Sequence, residues 1–180
     1  MKILGLDIST SCTGWCLLSE NGSLIDMGSI PLSRERDFFK KADLVRSSLE
    51  LLKKQHKIER IVIEENLQAY RPGLASAKTL MCLARFNGIV SYICRDMFKC
   101  EPEYYNVNVA RRTVGLKVSK NSPLSTKEQV LSWVEDKVNG TGHVWPTKKL
   151  KSGPRKGKTI KDPSCFDMAD AYVVCLASCL

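Results

Sequence analysis

Residues 60–64 end in Ile61-Val62-Ile63-Glu64, three β-branched side chains in a row with no polar alternation. A strand without a polar face is covered on both sides, which is the position of a central strand in a parallel pair. Parallel strands cannot be joined by a tight turn, so helical crossovers must flank this run. The chain supplies candidates on either side. Before it, Phe38, Ala42, Val45, Leu49 and Leu52 recur at helical spacing, with lysines and arginines between them, and predict a helix over residues 37–55. After it, residues 74–98 are apolar nearly all round, with Leu80, Met81, Leu83, Ala84, Phe86, Ile89, Val90, Ile93 and Met97. A helix of that kind buries more than one face. One face suits a sheet; the other asks for a second partner, such as a second subunit.

The rest of the chain extends the same architecture. Residues 2–7, 13–18 and 24–30 read as strands, and Asn21-Gly22 marks a hairpin between the second and third. Residues 103–107 read as a fifth strand. Asn108 is then expected to cap a short helix ending near Gly115. A further helix covers residues 123–137, begun by Ser122 or Ser125, and a last one runs from about residue 164 to the end. The order is three antiparallel strands followed by parallel crossovers, an α/β fold with a mixed five-stranded sheet flanked by helices. No repeat or linker divides the chain, so residues 1–180 are read as a single domain, a length sufficient for a sizeable core.

Charge narrows the partners. Formal net charge is +9, which favours a polyanion, most simply nucleic acid. A membrane surface would want a basic amphipathic helix, and none is evident. Residues 140–163 stand apart as a mobile basic loop. It carries Lys148, Lys149, Lys151, Arg155, Lys156, Lys158 and Lys161, with Asp162 as its only acid. The eight cysteines lie mostly within or beside apolar segments and form no Cys-x-x-Cys pair, which argues against zinc and against a disulfide framework. With no signal peptide and no apolar run long enough for a bilayer, a reduced, cytoplasmic, non-secreted protein is expected.

Four acids carry the chemistry. Asp7 closes the apolar run Ile3-Leu4-Gly5-Leu6, and Glu64 closes the central strand with Glu65 beside it. Strand alternation sends Glu64 and Glu65 to opposite faces, so only one can join Asp7. Asp167 and Asp170, three apart, share one face of the last helix. Convergent carboxylates from three distant parts of a chain suit hard divalent cations that activate water against a phosphodiester. Neither His56 nor His143 has a serine or cysteine neighbour in a nucleophile context, so a hydrolase triad is not indicated.

These residues fall into an order that resembles the RuvC-type Holliday-junction resolvases of the ribonuclease H-like superfamily. Gly5-Leu6-Asp7 with Gly14, Ile63-Glu64, residues 75–88 ending in Ala84-Arg85 and Gly88, and Asp167-Met168-Ala169-Asp170-Ala171 resemble its motifs in sequence order. Val109 to Gly115 resembles its short basic helix. The resemblance implies a homodimer that nicks two opposed strands of a four-way DNA junction symmetrically. It also implies two magnesium ions per site, with manganese able to substitute, and no small-molecule cofactor. It assigns metal and catalytic roles to Asp7, Glu64, Asp167 and Asp170, selects Glu64 over Glu65, and leaves Glu65 a supporting place. Arg111, Arg112 and Lys127 become candidates for the scissile phosphate. Tyr70, Arg71, Lys117 and the cations from Lys148 to Lys158 become nucleic-acid contacts, with Tyr70 placed to stack on an unpaired base. Glu65, Leu67 in place of the usual aromatic, and the long basic loop depart from bacterial members and point toward a phage or other viral branch. Two further readings stay open: another ribonuclease H-like nuclease acting on RNA/DNA hybrids or other branched DNA, or a non-catalytic nucleic-acid-binding module.

Overall fold

The computed structural model describes residues 1–65 and 76–180. Five strands form one sheet in the order β3-β2-β1-β4-β5. They are β1 (Lys2–Ile8), β2 (Cys12–Ser19), β3 (Leu24–Pro31), β4 (Arg60–Glu64) and β5 (Glu103–Tyr105). The first three are antiparallel neighbours; β4 runs parallel to β1, and β5 parallel to β4. Five helices accompany the sheet among the described residues: α1 (Phe38–Gln55), α2 (Ala77–Phe98), α3 (Val107–Thr113), α4 (Thr126–Val138) and α5 (Ser164–Ala177). The mixed α/β sheet expected from the sequence is therefore present, with β4 inside it.

Alternation along the strands divides the core into two layers. Leu4, Leu6, Ile8, Ile61 and Ile63 face α1 and α2, while Ile3 and Val62 face α4 and α5. Because side chains alternate, Asp7 and Glu64 must share the α5 face with Ile3 and Val62. Glu65 follows on the other side. No helix among the described residues is long and apolar enough to cross a membrane, and all eight cysteines are free.

Several boundaries differ from expectation, each for a local reason. The fifth strand stops at Tyr105 because Asn106, not Asn108, caps α3: its side chain accepts from Asn108 N at 3.0 Å. The helix expected over 123–137 begins at Thr126. Ser125 and Glu128 close a reciprocal capping box there, a motif in which each side chain satisfies an orphan N–H of the first turn. Residues 74 and 75, at the expected start of the long helix, lie outside the described residues; α2 opens at Ala77 with Ser76 capping.

Two features matter more. The long helix packs one side against the core and leaves its other side open. Phe86, Val90, Ile93, Cys94 and Met97 are buried, but Met81 and Tyr92 are 67% and 63% exposed. The basic segment 140–163 is not a structureless loop. It contains an antiparallel hairpin of β6 (Thr147–Lys149) and β7 (Thr159–Lys161), a sheet of its own.

Candidate active site

Backbone register brings the first two acids together. In the parallel pair β1–β4, Leu6 lies opposite Ile63, so the next residues, Asp7 and Glu64, are neighbours at one end of the sheet, on strands spaced about 4.8 Å apart. Across β1 on the other side, Asp7 pairs with Gly14 of β2. Helix α5 then delivers the other two acids to the same place. It can do so because two glycines remove the side chains that would hold it off. A Cβ on Gly14 would stand 2.0 Å from the carbonyl oxygen of Asp167. One on Gly5 would stand 2.4 Å from Cys175 Cβ and 2.7 Å from Ala171 O. The helix backbone thus rests directly on β1 and β2, and the Asp167–Asp170 face turns toward Asp7.

The electrostatics register this convergence. The Asp7 carboxyl is held well above its ordinary range, first by burial and then by repulsion from Glu64, Asp170 and Asp167. Glu64 is pushed up to about 7 by burial and by Asp170. Burial also raises Asp167 and Asp170. Among the described residues, opposing groups are few. Lys127, exposed in the first turn of α4, draws all four acids downward. Arg111 Nη2 donates to Asp170 Oδ1 at 3.0 Å in an ion pair with little solvent around it. Its Nε is buried with no hydrogen-bond partner among the described residues.

Asp167 has a different companion, the Cys12 thiol, whose hydrogen bond lowers the carboxyl. Burial, and then Asp167, push that thiol up to about 12. Cys12 is therefore a neutral donor to Asp167 and not a thiolate. With Asp170 turned to Arg111 and Asp167 to Cys12, the four acids do not close into one tight shell. Among the described residues no group of three or more His, Cys, Asp or Glu side chains stands at metal-ligand spacing.

The donor chemistry nevertheless fits a hard divalent cation. The set is all carboxylate, the neighbouring Cys12 thiol is protonated, and the acids crowd into a desolvated place. Oxygen-only, anionic sets of that kind suit magnesium or manganese and not zinc.

Other expected residues scatter. Arg112 and Lys117 are exposed near α3. Lys148, Lys149, Lys151, Arg155, Lys156 and Lys158 are exposed on or beside the hairpin. Glu65 is half-buried, and its backbone N–H donates to Tyr105 O at 2.9 Å. Tyr70, Arg71 and Leu67 lie outside the described residues. The sequence reading missed three parts of the site. Cys12 was read only as one more cysteine beside an apolar segment. Asn87 and Ser91 are buried in α2; Asn87 Nδ2 donates to Glu64 O at 3.3 Å, and Ser91 Oγ donates to Asn87 Oδ1 at 3.2 Å. Two polar residues on the packed face of an apolar helix were the available signal, since buried polar groups are there to be hydrogen-bonded.

Comparison with known proteins bears on this arrangement. No family model matches the chain. The crossover junction endodeoxyribonuclease RuvC of Aliarcobacter butzleri is 30% identical over 149 residues, covering 81% of this chain and 89% of that protein. Its counterpart in Campylobacter curvus is 27% identical over 149 residues, covering 81% and 87%. Among solved structures, Thermus thermophilus RuvC in complex with a Holliday junction substrate superposes with a TM-score of 0.64 at 15% identity, covering 98% of this chain and 91% of that one. The yeast mitochondrial Holliday junction resolvase superposes with 0.53 at 15% identity, covering 98% and 77%. At those identities the structures establish the fold alone, and the sequence relationship decides the rest: the chain belongs to the RuvC family of crossover junction endodeoxyribonucleases.

Proposed function

We propose that this protein resolves four-way DNA junctions in the cytoplasm as a two-fold dimer, through paired, divalent-metal-dependent nicks of opposed strands. The observation that carries the reading is the meeting of Asp7, Glu64, Asp167 and Asp170 on one face at one end of the sheet. They come from three distant segments, and after burial the other three all raise the pKa of Asp7, as Asp170 and Asp167 raise that of Glu64. These four would hold magnesium, or manganese in its place. When bound, such cations supply Lewis acidity to a phosphodiester and make water more acidic.

The chain's own residues do the remaining work. Asp7 and Glu64 hold fixed places because their strands are locked in register. Arg111 orients Asp170 through the ion pair at 3.0 Å. Lys127, exposed and close enough to lower all four acids, is positioned to meet the scissile phosphate, with Arg112 exposed nearby on the chain. Arg111 is committed to Asp170 and is the weaker of the three candidates for that contact. No protein nucleophile is needed, and the expected product is a nick with 5′-phosphate and 3′-hydroxyl ends. Base identity matters little where phosphates and junction shape select the substrate.

The dimer is supported by α2. Ala77, Met81, Ala84, Gly88 and Tyr92 are all exposed and recur at helical spacing along its outer side. A Cβ on Gly88 would meet nothing within 4 Å. A second copy laid along this face would bury it and set two sites in opposition, which paired nicking requires. All 180 residues are read as one domain. Labelled four-way junction, flap, linear duplex and RNA/DNA hybrid, each incubated with magnesium, test the proposal. Symmetric nicks confined to the junction are expected. Equal cutting of the hybrid would establish the alternative ribonuclease H-like reading, and no cutting of any substrate would establish the binding-module reading.

A further inference from the structure

The site described above uses little of the chain's positive charge. Seven of the 28 lysines and arginines, set against a net charge of +9, lie between residues 147 and 161, a stretch without a single acid. The structure folds this stretch. Thr147 pairs with Lys161 and Lys149 with Thr159. The turn beyond is closed by Leu150 N donating to Lys158 O and Gly157 N donating to Leu150 O, each at 2.9 Å. Gly153 and Gly157 take φ values of 79° and 88°, a backbone region open to glycine and strained for other residues.

Its foot is pinned to the body. Asp162 N donates to Pro146 O at 2.8 Å, and Cys165 Sγ contacts the same oxygen at 3.4 Å. Lys161 pairs with Glu135 of α4. Beyond the foot nothing is buried; Leu150 and Ile160 are half-buried and every other residue from Thr147 to Lys161 is exposed. None of the six remaining cations forms an ion pair with a described residue.

An isolated two-stranded hairpin is marginal in water, and like charges crowded on it repel. Neither its own packing nor its charge distribution stabilises this element, whereas a polyanion laid against it would. Its placement is equally specific. β7 ends at Lys161, and α5, whose first turn carries Asp167, begins at Ser164. The foot of the hairpin therefore stands at the end of α5 that carries the candidate acids. From Thr147 to Gly153 an extended ribbon reaches on the order of 20 Å, and duplex DNA presents a phosphate charge every ~1.7 Å of axis.

We propose that the β6–β7 hairpin is an auxiliary arm that grips the phosphate backbone of a DNA duplex leading into the active site. It engages the duplex arm and not the branch point, and it contributes affinity without reading bases. The proposal rests on the junction-nuclease reading only for the identity of the DNA it holds.

The test replaces Lys148, Lys149, Lys151, Arg155, Lys156 and Lys158 with glutamine in the full chain. Binding to a four-way junction and to a linear duplex of the same arm sequence is followed by fluorescence anisotropy, in chelator, across a salt series. Both affinities should fall. If about three of the six meet phosphates, the slope of log affinity against log salt should shrink by roughly 2–3 units. Two triple variants, one for each side of the turn, should each lose part of the slope, which keeps the test valid should the sextuple variant misfold. An unchanged slope overturns the proposal, and so does a loss that depends on the arm's base sequence. Failure of the two readings is separable. A wild-type protein that binds duplex through the hairpin but cuts no junction defeats the function and leaves the arm. One that cuts junctions with hairpin-independent affinity does the reverse.

Discussion

Glu64→Gln is expected to stabilise the metal-free protein while removing cleavage. Glutamine keeps the volume and shape of the side chain and deletes its charge. In the folded protein the Glu64 carboxyl is pushed from 4.5 up to about 7 by burial and by Asp170. A carboxyl raised in this way binds its proton more tightly folded than unfolded. Between about pH 4.5 and 7 the folded chain therefore holds the extra proton, and stability falls as pH rises. The penalty is absent below the unfolded pKa and complete above the folded one. A shift of that size corresponds to on the order of 3 kcal/mol at full ionisation. At pH 8 in chelator the variant should thus melt several degrees above wild type, at about 2–4 °C per kcal/mol for a chain of this size. At pH 4.5 the two should melt together. Adding magnesium should raise wild type more than the variant, because a ligand stabilises in proportion to its occupancy of the folded state. Thermal melts at the two pH values, with and without magnesium, check each step. A variant less stable than wild type at pH 8, or equally stabilised at both pH values, would refute the claim that burying the Glu64 charge beside Asp170 strains this site.

The remaining predictions address the rest of the site and the interface. Asp7→Asn, Asp167→Asn and Asp170→Asn should each abolish nicking while junction binding in a gel shift survives, because affinity comes from lysines and arginines; full activity in any one removes that acid from the site. Gly14→Ala should cost about 2–3 kcal/mol in urea denaturation, since its Cβ would meet Asp167 O at 2.0 Å, and a neutral outcome would mean that α5 does not rest on β2. Met81→Glu or Tyr92→Glu should shift sedimentation from dimer to monomer without lowering the melting temperature of the fold; an unchanged dimer places the interface elsewhere. A charge at Phe86 would not test the interface, because that side chain is 0% exposed and its replacement would disrupt the core.

The sheet was legible because its signals are local and strong. Ile61-Val62-Ile63 could only be a covered strand, and Asn21-Gly22 marked the hairpin between β2 and β3, where Gly22 has a φ of 79°. What escaped was whatever depends on one element meeting another. Asn106 and Asn108 are equally good caps by composition, and only the end of β5 decides between them. The apolar run of α2 announced two faces, but which residues face the core and which, like Met81 and Tyr92, stay open depends on how the helix meets the sheet. The basic segment lacks apolar content, so no periodicity announced β6 and β7, and backbone pairing with glycine turns made the hairpin regardless.

The site divides along the same line. Strand alternation alone left Glu64 and Glu65 equivalent. The choice becomes physical only through register: Leu6 opposite Ile63 puts Asp7 beside Glu64, and Val62 packs against α5, so Glu64 must turn the same way. The two glycines show the same dependence. The motif resemblance names Gly5 and Gly14 but gives no physical reason for them in strands, where glycine usually weakens packing. Here their missing side chains let α5 lie on the sheet, and that contact assembles the four acids. The close approach also gathers mutually repelling carboxylates in a desolvated place, a cost that the buried apolar residues of α5, among them Met168, Val173 and Val174, offset. Arg111, Lys127 and the Cys12 thiol relieve part of the repulsion, and a bound divalent cation would relieve more. The apolar packing that fixes the fold therefore also maintains the charge density on which the proposed chemistry depends.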